Sequence, residues 1–187
     1  MRKTYLSLPL FLMILISMSA CTKSAGGNGN ASKDFYLRFK ADGVQNEYRA
    51  HVEGNFNKPS GPTEYITILG GTKVQFEAKK SNMTLGLTTV GTTMLHTTYT
   101  NYSASAPGLK KAKLALISFL DENGKPYASW GEEFSLVLPP GSPIDVRLVI
   151  TEASSTHIRG NFSGTLYSAD FSAKIKITDG EFYLEQH

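Results

Sequence analysis

Residues 35–52, FYLRFKADGVQNEYRAHV, decide the fold class. Phe35, Leu37 and Phe39 alternate with Tyr36, Arg38 and Lys40, and Tyr48, Ala50 and Val52 alternate with Glu47, Arg49 and His51. A period of two sends one set to a dry face of a strand and the other to a wet face. Between the two runs stands Asp42-Gly43, a pair that tolerates positive φ at both central positions of a tight hairpin turn.

Outward from this hairpin the same period recurs at Ile66 and Ile68, at Val74, Phe76 and Ala78 after a turn expected at Gly70-Gly71, and at Met83, Leu85 and Leu87. It returns at Phe134, Leu136 and Leu138, stopped by Pro139-Pro140-Gly141, and at Ile144, Val146, Leu148 and Ile150. Next come Ile158, Gly160, Phe162, Gly164 and Leu166, then Phe171, Ala173, Ile175 and Ile177, and after a turn at Asp179-Gly180 a last strand with Phe182 and Leu184. Residues 112–120 (AKLALISFL) are apolar in both phases, as expected of a central strand covered on both sides. No window carries a 3.6-residue period.

The expected fold is therefore all-β. About ten to thirteen strands exceed what one open sheet holds before it curls or splits. An antiparallel two-sheet β-sandwich of meander or jelly-roll type is favoured, with a closed or flattened, lipocalin-like β-barrel as the alternative. Gly160, Gly164 and Gly180 fall on the apolar phase and would permit bending or a close approach of a facing sheet.

The N-terminal residues read differently. Met1-Arg2-Lys3 precede thirteen mostly apolar residues (6–18), followed by Ser19, Ala20 and Cys21. That stretch is too short for the ~20 apolar residues of a spanning helix, and its three-part layout is that of a secretion signal. Residues 1–20 are expected to be removed. Residues 22–32 (TKSAGGNGNAS) offer nothing to bury and read as a flexible tether, leaving residues 33–187 as one β domain.

Met18-Ser19-Ala20-Cys21 resembles the lipobox of bacterial lipoproteins, and Cys21 is the sole cysteine of the chain. The resemblance implies that the Cys21 thiol receives a diacylglycerol, that cleavage falls before it, and that its new amino group is acylated, for instance with palmitate. Several acyl chains make anchoring durable where one does not. The residue after the cysteine, Thr22, departs from the aspartate associated with inner-membrane retention, which points to the outer membrane, on its periplasmic or its cell-surface side. The layout of signal, tether and β domain also resembles small single-domain outer-membrane lipoproteins of Bacteroidota. Phe39-Lys40-Ala41-Asp42-Gly43, the run 159–166 (RGNFSGTL) and the run 177–182 (ITDGEF) carry that likeness, which transfers no catalytic residue.

Composition narrows the function further. With 41% hydrophobic and 19% charged residues among 187, the chain can build a core. Without Arg2 and Lys3, 17 basic residues face 16 acidic ones, so no electrostatic case for nucleic acid exists. One cysteine excludes an internal disulfide and a thiolate metal cluster. His51, His96, His157 and His187 show no ligand spacing. Residues 121–132 imitate a calcium loop but place Lys125 at a ligand position and Pro126 at the glycine position, so a hairpin turn at Asn123-Gly124 is expected instead. No cofactor is expected.

Glu132, Glu133, Asp145 and Asp170 are the carboxylates that a glycoside hydrolase could pair, but no catalytic motif accompanies them. The remaining signal is aromatic: Tyr99 and Tyr102 flank one polar loop, Tyr127 and Trp130 another. Such rings can stack on a sugar or anchor a protein. The expected function is a lipid-anchored, noncatalytic envelope binding or assembly module for a glycan, peptide or protein ligand, with these four residues as its binding site. A β-barrel carrier of a small hydrophobic ligand and a cell-envelope hydrolase are the alternatives.

Overall fold

The computed structural model describes residues 35–73, 81–103 and 105–187, within a unit spanning Ala31–His187. Twelve strands follow in order: β1 (Tyr36–Ala41), β2 (Val44–Tyr48), β3 (Ala50–Pro59), β4 (Glu64–Thr72), β5 (Asn82–Val90), β6 (Thr98–Thr100), β7 (Leu109–Lys111), β8 (Leu114–Leu120), β9 (Pro126–Ala128), β10 (Arg147–Ala153), β11 (His157–Ser168) and β12 (Lys174–Gln186). Among the described residues the sole helical piece is a 3-10 turn, Glu132–Phe134. The protein is all-β, as its periodicity demands.

The first hairpin forms as read. Asp42 and Gly43 take φ values of +46° and +83°, and the ladder runs from Ala41↔Val44 to Leu37↔Tyr48. Its apolar phase is dry, with Leu37, Phe39 and Tyr48 at 0% exposure. Asp42 also ties the turn to β12, accepting from the Lys176 amide at 2.7 Å.

Pairing runs β2-β1-β12-β11-β10-β6-β7 along one layer and β3-β4-β5-β8-β9 along the other. Two short ladders join the layers. One is the parallel pair of β12 with β3 at Glu185↔Glu53 and Gln186↔Gly54; the other is β11 with β9 at Tyr167↔Ala128 and Ser168↔Tyr127. Seven strands, β12-β3-β4-β5-β8-β9-β11, thus close a ring. The result is a sandwich laced at both corners, which joins the two architectures expected from the sequence. The β6–β7 pair is likewise parallel, so the sheet is mixed and not purely antiparallel.

Between the layers the Phe39 ring of β1 meets Phe119 of β8 edge-on at 5.5 Å, and it also contacts Tyr48 at 5.4 Å and Phe162 at 6.1 Å. Leu69, Leu85, Ile117, Leu148, Ile150, Leu166 and Ile177 surround these rings, each at most 2% exposed. These aromatic side chains fill the space between the layers around Phe39.

Five local expectations are corrected. Gly70-Gly71 is no turn: both residues lie inside β4, where Gly71 lets Leu37, Tyr48 and Val52 approach. The strand expected through Phe134, Leu136 and Leu138 is a 3-10 turn followed by further turns, with Leu136 97% exposed. Phe171 and Ala173 precede β12, with Phe171 in a turn at φ +57°. Asp179-Gly180 is no hairpin but a bulge inside the thirteen-residue β12: Asp179 has φ +51°, and the register slips there against both β1 and β11. A left-handed pair can add one residue to a strand as readily as reverse it. Finally, β8 is covered on one face only; Leu116 and Leu120 are half-buried and Leu114 is 40% exposed. The predicted signal peptide, Cys21, the tether and the expected strand through Val74, Phe76 and Ala78 lie outside the described residues.

Candidate functional site

The described surface carries a groove of about 270 Å³ where the turn after β11 meets residues 139–142. Pro139, Pro140, Ser142, Tyr167, Phe171 and Lys174 line it. One wall is a tight turn: Gly141 takes φ +78° and the Ser142 amide donates to Pro139 O at 3.0 Å. Proline followed by glycine at the central positions suits a type II turn. The Tyr167 hydroxyl donates to Pro143 O at 3.1 Å, which pins this wall to β11 and leaves Tyr167 3% exposed. Burial raises the Tyr167 pKa above the ordinary phenol value.

The opposite wall is residues 168–173. Asp170 organises it by accepting from Ser168 Oγ at 2.6 Å, Ser172 Oγ at 2.8 Å and the Ser172 amide at 3.2 Å. These donors, Ser168 foremost, hold its carboxyl well below the usual carboxylate range. The Phe171 amide bonds Ser168 O at 2.9 Å and the Ala173 amide bonds Ser168 Oγ at 3.0 Å. The network keeps Phe171, a bulky non-glycine residue, in the left-handed region at φ +57°, a conformation such residues adopt at a cost of ~1–2 kcal/mol.

Behind Phe171 stands Trp130, their ring centroids 5.2 Å apart, and Trp130 meets Phe134 edge-on at 4.9 Å. The loop bearing Trp130 is clamped to the ends of β6 and β7. Asn101 Nδ2 donates to Trp130 O at 2.5 Å, and Glu132 accepts from Lys111 Nζ at 2.6 Å and Ser103 Oγ at 2.9 Å. The Lys111 bond, followed by the Ser103 amide, lowers the Glu132 pKa to about 2. Beyond this clamp the chain exposes Leu136 and Val137, the latter 58% accessible, just before the groove's prolines.

Of the four aromatic residues singled out by sequence, only Trp130 belongs to this site. Tyr99 is a core residue at 0% exposure, its hydroxyl accepting from the Met94 amide at 2.9 Å, so it cannot serve as an exposed platform. Tyr102 is half-buried and accepts weakly from Arg147 at 3.4 Å. Tyr127 packs on Phe119 at 6.3 Å beneath the Lys125 ammonium. Sequence reasoning missed Tyr167, Phe171, Lys174 and the proline pair. The signal was present in Ser168-Ala169-Asp170-Phe171-Ser172, whose serines and aspartate are turn formers.

The carboxylates considered for hydrolysis do not converge as a pair in this groove. Asp145 accepts from the Thr165 amide at 2.7 Å and Thr165 Oγ1 at 3.0 Å, while Glu132 and Asp170 hold their own loops. His157 and His187 pair with Glu152 at 2.7 Å and Glu53 at 3.1 Å. Among the described residues no three His, Cys, Asp or Glu groups gather as a metal site would require. A second aromatic group, Tyr36 and Tyr183 on the outer face of β1 and β12, lies under Arg38 and Arg159, each 4.8 Å from a ring. Arg38 there is neutralised by Glu181 at 2.5 Å.

Compared with known protein families, curated proteins and solved structures, the chain matches none.

Proposed function

We propose that this is a lipid-anchored, noncatalytic binding or assembly module of the bacterial outer membrane, tethered through acylated Cys21 and engaging an envelope protein or peptide at the groove between residues 139–142 and Phe171. The observation that carries the binding reading is Phe171. Three hydrogen bonds to Asp170 stabilise a turn that presents this aromatic ring, backed by Trp130, at a left-handed backbone position. Strain of this kind collects at sites where presentation of a side chain matters more than stability.

The mixed walls, two prolines and an aromatic ring beside Ser142, Ser172 and Lys174, favour a protein segment over a glycan. Prolines and an aromatic ring supply contact area at little rotamer cost, and Leu136 and Val137 extend it. A sugar site needs planar polar groups aimed outward, whereas the carboxylate of Asp170 is taken up by its own turn.

Two measurements test the reading. Cys21→Ala abolishes incorporation of radiolabelled palmitate and moves the protein to the soluble fraction; continued labelling refutes the anchor. A photo-reactive phenylalanine analogue at Lys174, which lines the groove outside the Asp170 network, cross-links one envelope protein or peptide in intact cells, while the same probe at Asn161 does not. Equal cross-linking from both positions removes the groove as the binding site.

A further inference from the structure

Residues 90–97 (VGTTMLHT) join β5 to β6 and contain no Asp, Glu, Lys or Arg. Val90, Met94 and Leu95 are nonetheless exposed there. The loop is tied down from several sides. Asn57 of β3 accepts from the Thr93 amide at 2.7 Å and donates through Nδ2 to Thr93 O at 3.3 Å. The Gly91 amide donates to Thr63 O at 2.7 Å, the His96 amide to Ile150 O at 2.8 Å and the Met94 amide to the Tyr99 hydroxyl at 2.9 Å. Binding through this loop therefore carries little further cost in backbone ordering.

We infer that this loop seats in the bilayer that holds the acyl chains of Cys21. The inference rests on the anchor reading above, and the place where the chain enters the domain selects lipid as the occupant. β1 begins at Tyr36, opposite Tyr183 near the end of β12; Tyr183 faces Arg159 near the start of β11, and Arg159 faces Glu152 near the end of β10. The 90–97 loop lies at this same end. Its His96 bonds Ile150 of β10, and its Thr93 bonds Asn57, which stands beyond the last pair of β12 with β3 at Gln186↔Gly54. Thirteen residues separate Cys21 from Phe35, and a chain of that length in mostly small, polar residues spans about 20 Å root-mean-square. The end that carries Val90, Met94 and Leu95 is thus the end leashed to the membrane. Glu64, the carboxylate opposite Val90, is met by Lys113 and adds no bare charge beside it. The groove lies at the other end, where Tyr167 stands about 26 Å from Arg159 along β11 at ~3.3 Å per residue, so seating the loop leaves the groove open.

Depth-dependent quenching of the full acylated chain in phosphatidylethanolamine–phosphatidylglycerol vesicles tests it. Cys21 is the sole cysteine and acylation occupies its thiol, so Met94→Cys alone takes a nitrobenzoxadiazole probe. Nitroxide groups on the lipid acyl chains should quench that probe roughly threefold or more above one at Asn123→Cys, since apolar tips seat ~5–10 Å into the headgroup boundary. Asn123 lies in the β8–β9 turn at the opposite end. Leu95→Asp in the Met94-labelled chain lowers the quenching toward the Asn123 level. Thr92→Cys, exposed on the same loop, gives the same result should Met94→Cys alter the fold by circular dichroism. A chain that floats with the vesicles but is quenched equally at both ends overturns the inference and leaves the anchor standing. A chain that does not float refutes the anchor, and the inference falls with it.

Discussion

The ring of Phe162 lies directly on Gly180, its cross-strand neighbour on β12, while Phe182 of β12 covers Gly160 of β11 in the reciprocal arrangement. Two glycines on the dry face of adjacent strands thereby make room for two phenylalanines, whose rings sit 6.3 Å apart. A methyl group at Gly180 would overlap Phe162 O and sit 2.8 Å from its ring, well inside van der Waals contact. Gly180→Ala is therefore expected to cost about 3 kcal/mol or more, since backbone and ring must both give way. Gly86→Ala, whose added methyl meets only Leu116 Cβ at an ordinary contact distance of 3.9 Å, stays within ~1 kcal/mol of the parent. Urea unfolding of the two variants measures the contrast, and equal stabilities would show that the strands can separate to admit the methyl.

Phe171 separates presentation from stability. Phe171→Gly and Phe171→Ala both remove the ring that meets Trp130 and Tyr167, but only alanine retains a Cβ at φ +57°. The glycine variant should be the more stable of the two by about 1 kcal/mol, although glycine loses more chain entropy on folding at ordinary positions. Both should lose the cross-link from Lys174. Denaturant midpoints read the first effect; a less stable glycine variant would mean that the turn relaxes once the ring is gone.

The all-β class and the first hairpin were legible because they rest on local chemistry: strict alternation around Asp42-Gly43, which turns as its residues favour. Asp179-Gly180 offers the same local chemistry but bulges instead of turning, since whether a left-handed pair reverses a strand or bulges it depends on β1 and β11 continuing alongside on both edges. Phe134, Leu136 and Leu138 alternate like a strand, but Trp130 captures Phe134 and exposes Leu136. The burial of Tyr99 was invisible because β6 is three residues long, too few to show a phase. Phe171 alternates with Ala173 like a strand residue, yet its place comes from Ser168, Asp170 and Ser172, which act through a turn and not through periodicity.

Phe39 is the keystone of the contact between layers. It touches Tyr48, Phe119 and Phe162 at 5.4, 5.5 and 6.1 Å and has no exposed surface. Replacing it by alanine removes most of that contact and leaves a cavity bounded by strands from both layers. The expected loss is ~3–5 kcal/mol, large against the 5–15 kcal/mol stability of a typical domain. Phe39→Leu, which keeps much of the volume, should lose less than half as much. Thermal or urea unfolding decides, and a loss below ~1 kcal/mol for Phe39→Ala would show that the layers collapse to fill the space.

The Glu132 clamp gives stability a pH dependence whose sign follows from its lowered pKa. In the unfolded chain the carboxyl titrates near its ordinary 4.5, whereas Lys111 and Ser103 keep it ionised in the fold down to about 2. Between those values the unfolded state binds more protons, so stability falls as pH falls through that window. Above it the contribution is fully present; below about 2 it is gone. Glu132→Gln lacks this titration and should be less stable than the parent at neutral pH, with the difference shrinking as the pH is lowered. Asp170 and Glu152, also lowered, titrate in both proteins and cancel in the comparison. Unfolding of parent and variant along a pH series is the measurement. A gap that stays constant from neutral pH into the acid range would show that Glu132 acts through the shape of its loop and not through its charge on Lys111.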